Sequence, residues 1–258
     1  MQVLQLKLEA TCPHGPGFDR INSQSVQPIL LYSSKSLKAA LRMCPLLQII
    51  QWQPQARDEL RNPILDRVSA LMASCCLHLT HLSLAFCTLH HATMSVLGQS
   101  RSLKVLSLRH SQIYSLNCQM HEEAWQGFPQ LHCLDLSWCP GVVSNHLLLV
   151  APHLLSLSAH GCDRVGRLLC RHLRSCVCLD ICGTGMCDRD LLALIEGAPD
   201  LRHLYISGRY ANLWSDPFWT DAALSELKRR RPDVVVRTIT SPLTPTEYER
   251  LGTNPSSS

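Results

Sequence analysis

Five cysteines, Cys170, Cys176, Cys178, Cys182 and Cys187, lie within 18 residues. Thiolates gathered so closely could hold zinc, which takes four thiolate or imidazole ligands at tetrahedral geometry, or could cycle as a redox pair. Their spacings are x5, x1, x3 and x4, with no C-x2-C pair. Small core residues plus exposed thiols are therefore expected, and no metal site. Thirteen histidines invite a search for acid–base or nucleophilic chemistry. The motifs H-E-x-x-H, G-x-S-x-G and G-x-x-x-x-G-K-[ST] do not occur. His90-His91 falls in a turn after a strand, and His78, His81, His132 and His203 occupy recurring positions. No nucleophile–base–orienter set can be assembled, so the chain is expected to be no enzyme and to carry no cofactor.

Two further segments carry charge or aromatic surface. Lys228-Arg229-Arg230-Arg231 is the one basic run. It reads as a cationic helix C-terminus favoured by the macrodipole, with nuclear import or nucleic-acid contact as the alternative. No aromatic interleaving accompanies it, and the net charge of +4 is too small to imply nucleic acid. Residues 207–219, SGRYANLWSDPFW, concentrate Tyr210, Trp214, Phe218 and Trp219. This loop suits the end cap of a stacked core, or an aromatic anchor for a partner.

Those residues must be positioned by a fold, and composition bounds it. The 258 residues are 46% hydrophobic and 17% charged, enough to bury a core without staples. No apolar run reaches the roughly 18 residues of a membrane span; Leu147–Leu157 is broken by Pro152 and His153. Lys7 and Glu9 stand where a signal peptide would need an apolar stretch. The fourteen cysteines are then expected as reduced thiols in cytoplasm or nucleus, with no membrane and no nucleic acid as partner.

Self-comparison shows a repeat, L-x-x-L-x-L-x-x-C. It reads Leu79, Leu82, Leu84, Cys87; then Leu103, Leu106, Leu108, Ser111; then Leu131, Leu134, Leu136, Cys139; then Leu154, Leu157, Ala159, Cys162. Cys176, Leu179, Ile181, Thr184 and Leu201, Leu204, Ile206 continue it, at successive spacings of 24, 28, 23, 22 and 25. The alternating core predicts a short half-buried strand, and the small cysteine closes the turn after it. An amphipathic stretch follows each strand, as in Asp188–Leu194, and Ala198-Pro199, Phe128-Pro129 and Ala151-Pro152 read as helix stops. Such a unit buries its apolar face only in a stack.

The ends are less regular. Leu46, Ile49 and Gln51 resemble a strand, as do Met1, Leu4 and Leu6; helices are expected at Leu37–Met43, through Val68 and Leu71, and at Ala222–Arg231, with a last strand at Val234–Val236. The organisation expected is a degenerate N-terminal repeat with an irregular insertion (1–45), a solenoid (46–240) and a disordered tail (241–258). The fold class is α/β, a leucine-rich-repeat horseshoe with a parallel concave sheet and convex helices.

The stretches HLTHLSLAFC (78–87), QLHCLDLSWCPGV (130–142), PDLRHLYISG (199–208) and ELKRRRPDVVV (226–236) resemble the cysteine-containing leucine-rich repeats of the F-box/LRR proteins. Those proteins are the substrate receptors of SCF-type ubiquitin ligases. The resemblance implies a substrate-binding repeat domain with a target protein on the concave face. It implies ligase adaptor and cullin as partners only with an F-box, a three-helix segment of about forty residues usually before the repeats; none is legible here, and the chain begins in a strand-like pattern. Either an F-box lies upstream of Met1, or the chain is a structural or assembly scaffold unrelated to ubiquitin. The outward strand residues are mixed and modestly polar, which suits a protein partner. Arg109, Asp135, His160, Asp180 and Tyr205 are the preferred contacts, with Trp214 from the aromatic loop, and Cys133, Cys178 and Cys182 should face outward.

Overall fold

Wherever the L-x-x-L-x-L unit recurs, its last alternating residues form a strand, because two inward leucines per turn can be buried only if the backbone is extended between them. The computed structural model describes residues 7–8, 49–52, 79–85, 88–114, 125, 127–207 and 219–239. Its strands are β1 (Lys7–Leu8), β2 (Ile49–Trp52), β3 (His81–Leu84), β4 (Thr88–His90), β5 (Val105–Ser107) and β6 (Gln112–Tyr114). They continue with β7 (Cys133–Asp135), β8 (Ser156–Ser158), β9 (Cys178–Asp180), β10 (His203–Ser207) and β11 (Val235–Ile239). The helices are α1 (His91–Gly98), α2 (Ser144–Leu147), α3 (Arg167–Cys170), α4 (Asp188–Gly197) and α5 (Asp221–Arg230).

Nine strands form one parallel sheet in the order β1-β2-β3-β5-β7-β8-β9-β10-β11. His81 stands opposite Val105, Val105 opposite Cys133, Cys133 opposite Ser156, Ser156 opposite Cys178 and Cys178 opposite His203. Equivalent repeat positions are therefore in register, and the unequal spacings are absorbed between strands. The chain is an α/β leucine-rich-repeat solenoid. Inward residues such as Leu82, Leu106, Leu134, Leu157, Leu179 and Leu204 form one buried spine with Leu97, Leu147, Leu169, Leu194 and Leu227 from the helices.

The repeat cysteine has a defined bond. Cys139 Sγ donates to the Leu108 carbonyl at 2.8 Å, and Cys162 Sγ to the Leu136 carbonyl at 3.1 Å. Ser111 Oγ does the same to the Leu84 carbonyl at 3.1 Å. Each turn-closing residue thus donates to a carbonyl of the preceding repeat and ties the two repeats together, which explains why serine can replace cysteine there. Helix packing is equally tight at α4, where a Cβ on Gly197 would overlap the Cys170 carbonyl oxygen.

Several expectations change. In β2 it is Ile50, not Ile49, that stands opposite Leu82, so the strand frame shifts by one from Leu46-Ile49-Gln51. An isoleucine pair at 49–50 satisfies either phase of a period-2 pattern, and pairing with β3 chooses between them. A strand is described at Lys7–Leu8, and the expected frame of Met1, Leu4 and Leu6 lies outside the described residues. Ala151-Pro152 does not end a helix but starts a one-turn 3-10 helix, Ala151–His153, where proline tolerates the first turn. His90 belongs to β4, which pairs with β6 in a second, two-stranded parallel sheet. The predicted final helix and strand match α5 and β11 to within a few residues. Cys87, the helices expected at Leu37–Met43 and through Val68, the boundary near 45 and the tail 241–258 lie outside the described residues.

The basic run is placed as a helix end. Lys228, Arg229 and Arg230 fill the last turn of α5. Arg231 donates to the carbonyls of Ala198 at 3.0 Å, Pro199 at 2.9 Å and Leu201 at 3.0 Å, closing the C-terminal end of α4. It also pairs with Asp233 at 2.9 Å. The other ends of these two helices are joined by Thr220, which caps α5 and donates its hydroxyl to Asp188 of α4 at 2.9 Å.

Candidate functional site: the strand-end ladder around Trp138

The outward side chains are half-buried in β3, closed to solvent from β5 to β10 and exposed again at Val235 and Arg237 of β11. In β3, His81 and Ser83 are half-buried, whereas every residue of β7, β8, β9 and β10 is buried. Cys133, Cys178 and Cys182 occupy outward positions as expected, yet they are buried rather than exposed thiols. Parallel strands stand about 4.8 Å apart, so a side chain standing between two paired neighbours loses water to the groups on either side of it. Cys178, for instance, has His203 opposite on one side. The preferred contacts share this fate: Asp135, His160, Asp180 and Tyr205 are 2%, 5%, 0% and 2% exposed. Arg109 is half-buried, and Trp214 lies outside the described residues.

What these residues do is hold one another. Asp135 accepts from the Ser137 N–H at 3.0 Å, from the Ser137 hydroxyl and from the Ser107 hydroxyl at 3.3 Å. The Arg109 guanidinium of the preceding repeat stands 3.6 Å from its other side. Since the Ser137 proton is given to Asp135, the 2.8 Å contact with Ser158 is donated by Ser158. Burial pushes the Asp135 carboxyl above its ordinary value, while Arg109 and the serine bonds pull it back only partly. Asp180 repeats the pattern: it accepts from the Cys182 N–H at 2.9 Å and faces His160 Nδ1 of the preceding repeat at 3.4 Å. His203 is held below its ordinary value, first by burial and then by Arg237.

Just past each strand, one residue per repeat turns into the left-handed region: His110 (φ 56°), Trp138 (φ 60°), Gly161 (φ 71°) and Gly183 (φ 65°). The amides of the first three bond the next repeat's carbonyl, Ser137 at 2.8 Å, His160 at 2.6 Å and Cys182 at 2.7 Å. Glycine takes this conformation freely, whereas a side chain there costs about 1 kcal/mol or more. The chain nonetheless places histidine and tryptophan at two of these positions. Their rings stack, with centroids 6.1 Å apart and planes 4° apart, and the indole lies 5.1 Å from the His160 ring. Trp138 also covers Gly161, where a Cβ would overlap the indole. With 37% exposure, Trp138 is one of the exposed large hydrophobic residues among those described. A legible signal existed for it: a tryptophan where later repeats carry glycine.

The histidines and cysteines divide between structure and site. Burial pushes the thiols of Cys162 and Cys176 up to about 12, and those of Cys139, Cys170 and Cys178 also rise. They are packing and bonding groups, not nucleophiles. Trp219, the described aromatic at the end of the loop 207–219, packs against the core. Among the described residues no helix is long and apolar enough to cross a membrane.

No protein-family model matches the chain, and no curated protein gives a significant match. The solved structures similar to it include the following two. The crystal structure of the Rad7 and Elc1 complex in yeast is 12% identical over 82% of this chain and 66% of that one, with a TM-score of 0.45. An internalin (InlF) from Listeria monocytogenes str. 4b F2365 is 11% identical over 78% of this chain and 64% of its own, also with a TM-score of 0.45. The chain therefore spans just under two thirds of each.

Proposed function

We propose that this chain is a protein-recognition module whose contact surface is the strand-end edge, with Trp138 as its anchor. The observation that carries this reading is a large, partly exposed indole held on a backbone conformation that its type disfavours. Strain of that kind persists where surrounding structure imposes it and clusters at binding sites. Tryptophan and arginine are enriched among interface anchors. Here Trp138 keeps part of its surface open, the His110 ring stacks against it, and Arg109, next to His110 in the chain, spends part of its charge on Asp135. The buried members of the row, Asp135, His160, Asp180 and Tyr205, then set the edge rather than touch the partner.

The more specific reading is the substrate-binding repeat domain of an SCF-type ubiquitin ligase receptor, supported by the cysteine-type repeats and the RRRPDVVV ending. A target held on the edge would be modified by a ligase core bound through an F-box supplied upstream. Affinity purification of the tagged full-length protein from cells tests both levels. Specific partners should fall at least ten-fold in Trp138→Ala at unchanged melting temperature, and adaptor and cullin should accompany the wild type. Partners that persist in Trp138→Ala would overturn the anchor. Partners without adaptor or cullin would leave a scaffold outside the ubiquitin system.

A further inference from the structure

The two strand aspartates sit in equivalent repeat positions with different company. Around Asp135 the preceding repeat supplies Arg109, and its own repeat supplies Ser137 two residues on. Around Asp180 the same two positions hold His160 and Cys182. Both replacements put a favoured ligand of transition metals, imidazole or thiolate, where the other repeat has a guanidinium or a hydroxyl. His160, Asp180 and Cys182 are 5%, 0% and 1% exposed, and one ligand atom from each lies within 4.8 Å of the other two.

We propose that His160, Asp180 and Cys182 form a buried site for a divalent transition metal, with zinc the occupant that this ligand set favours. A mixed imidazole, carboxylate and thiolate set suits zinc's borderline softness. The His160–Asp180 distance agrees. His160 Nδ1 and Asp180 Oδ2 are 3.4 Å apart. That is long for a charge-assisted hydrogen bond of about 2.7–2.9 Å. It equals the separation of about 3.3–3.4 Å between two ligands sharing one tetrahedral ion at bonds of about 2.0–2.1 Å. Charge agrees as well: a dication with one carboxylate, one thiolate and a neutral imidazole is formally neutral, so the full site is cheaper to bury than the ions separately. Binding takes the Cys182 Sγ proton to solvent as the metal–sulfur bond forms. The Cys182 N–H, bonded to Asp180 Oδ1 at 2.9 Å, fixes the carboxylate so that Oδ2 faces the site.

This site differs from the cysteine cluster at 170–187, of which it uses only Cys182. Cys170 Sγ lies 3.9 Å from Met186 Sδ, and Cys176 Sγ bonds the Cys178 carbonyl at 3.2 Å. The His160 ring also lies 5.1 Å from Trp138, so a bound metal would fix the wall behind the exposed indole.

The test uses the full chain, purified reduced from cells grown with zinc and, separately, with cobalt. Elemental analysis should return about one metal per chain, and the cobalt form should show a thiolate-to-cobalt charge-transfer band with tetrahedral visible bands. Cys182→Ser should abolish the charge-transfer band, while Cys187→Ser, which removes a half-buried thiol outside the site, should keep it. X-ray absorption at the zinc edge of the wild type should fit one sulfur with nitrogen and oxygen neighbours. Metal-free folded wild type, a thiolate band that survives Cys182→Ser, or a shell of two or more sulfurs would each overturn the proposal. Elemental analysis and X-ray absorption need only the wild type, so they decide the question even where the Cys182→Ser chain does not fold.

Discussion

Single residues in this chain act through bonds that cross from one repeat to the next. Cys162 gives its thiol proton to the Leu136 carbonyl, and Ser111 shows that a hydroxyl can serve in the same place. Cys162→Ser should therefore cost less than Cys162→Val, which leaves the Leu136 carbonyl with the Cys139 N–H as its donor and loses one hydrogen bond of about 0.5–1.5 kcal/mol; urea denaturation of the two variants measures the difference. Gly161→Ala should lose about 1–3 kcal/mol, because it meets both a left-handed φ of 71° and the Trp138 indole. Its tryptophan emission should also change as the ring is displaced. Asp135 is a pH probe. Its carboxyl is raised in the fold, so its contribution is fully present below the unfolded value and is lost as pH rises through the folded one. The stability difference between wild type and Asp135→Asn should accordingly move against wild type as pH rises from below 3.8. A difference independent of pH over that window would contradict the raised carboxyl.

At the scale of elements, the repeats are short strands whose returns vary in length, and specific side chains tie the returns together. Arg231 is the clearest tie: three carbonyls near the end of α4 converge on its guanidinium. A lysine has one compact ammonium and cannot reproduce that fork. Arg231→Lys should destabilise the chain nearly as much as Arg231→Ala, by about 1–3 kcal/mol, with amide exchange rising first around Ala198–Leu201 and in α5. The positions of β3, β5, β7, β8, β9 and β10 were legible from leucine spacing alone, since the register reproduces it. The β2 frame was not, because Ile49 and Ile50 satisfy both phases and only the neighbouring strand decides. The β4–β6 ladder was also invisible, for Thr88–His90 and Gln112–Tyr114 have no alternation long enough to read.

For the whole molecule, the continuous spine makes each repeat's stability depend on its neighbours. Cysteine chemistry reports this directly. Thiols such as Cys139, Cys162 and Cys176 are buried and held above their ordinary range, so alkylation near neutral pH should reach them only through opening of the stack. Among the described cysteines Cys187, which is half-buried, should label first. Mass spectrometry of a labelling time course checks the order. Early labelling of Cys162 or Cys176 in the folded chain would show that the repeats open independently.

The sequence by itself determined the repeat, its parallel stacking and the inward spine, because a period of two inside a period of 22–28 has one economical solution. It also showed that no familiar catalytic motif is present. Tertiary structure decided which outward residues meet water. Asp180 and Arg109 look alike among the outward positions, but Asp180 is sealed between β8 and β10, whereas Arg109 keeps an open side. Solvent exposure on a parallel sheet depends on the side chains of two neighbouring strands more than 20 residues away, and no local pattern encodes it. The same distance explains why Trp138 and the trio His160, Asp180 and Cys182 emerge only when the repeats are stacked.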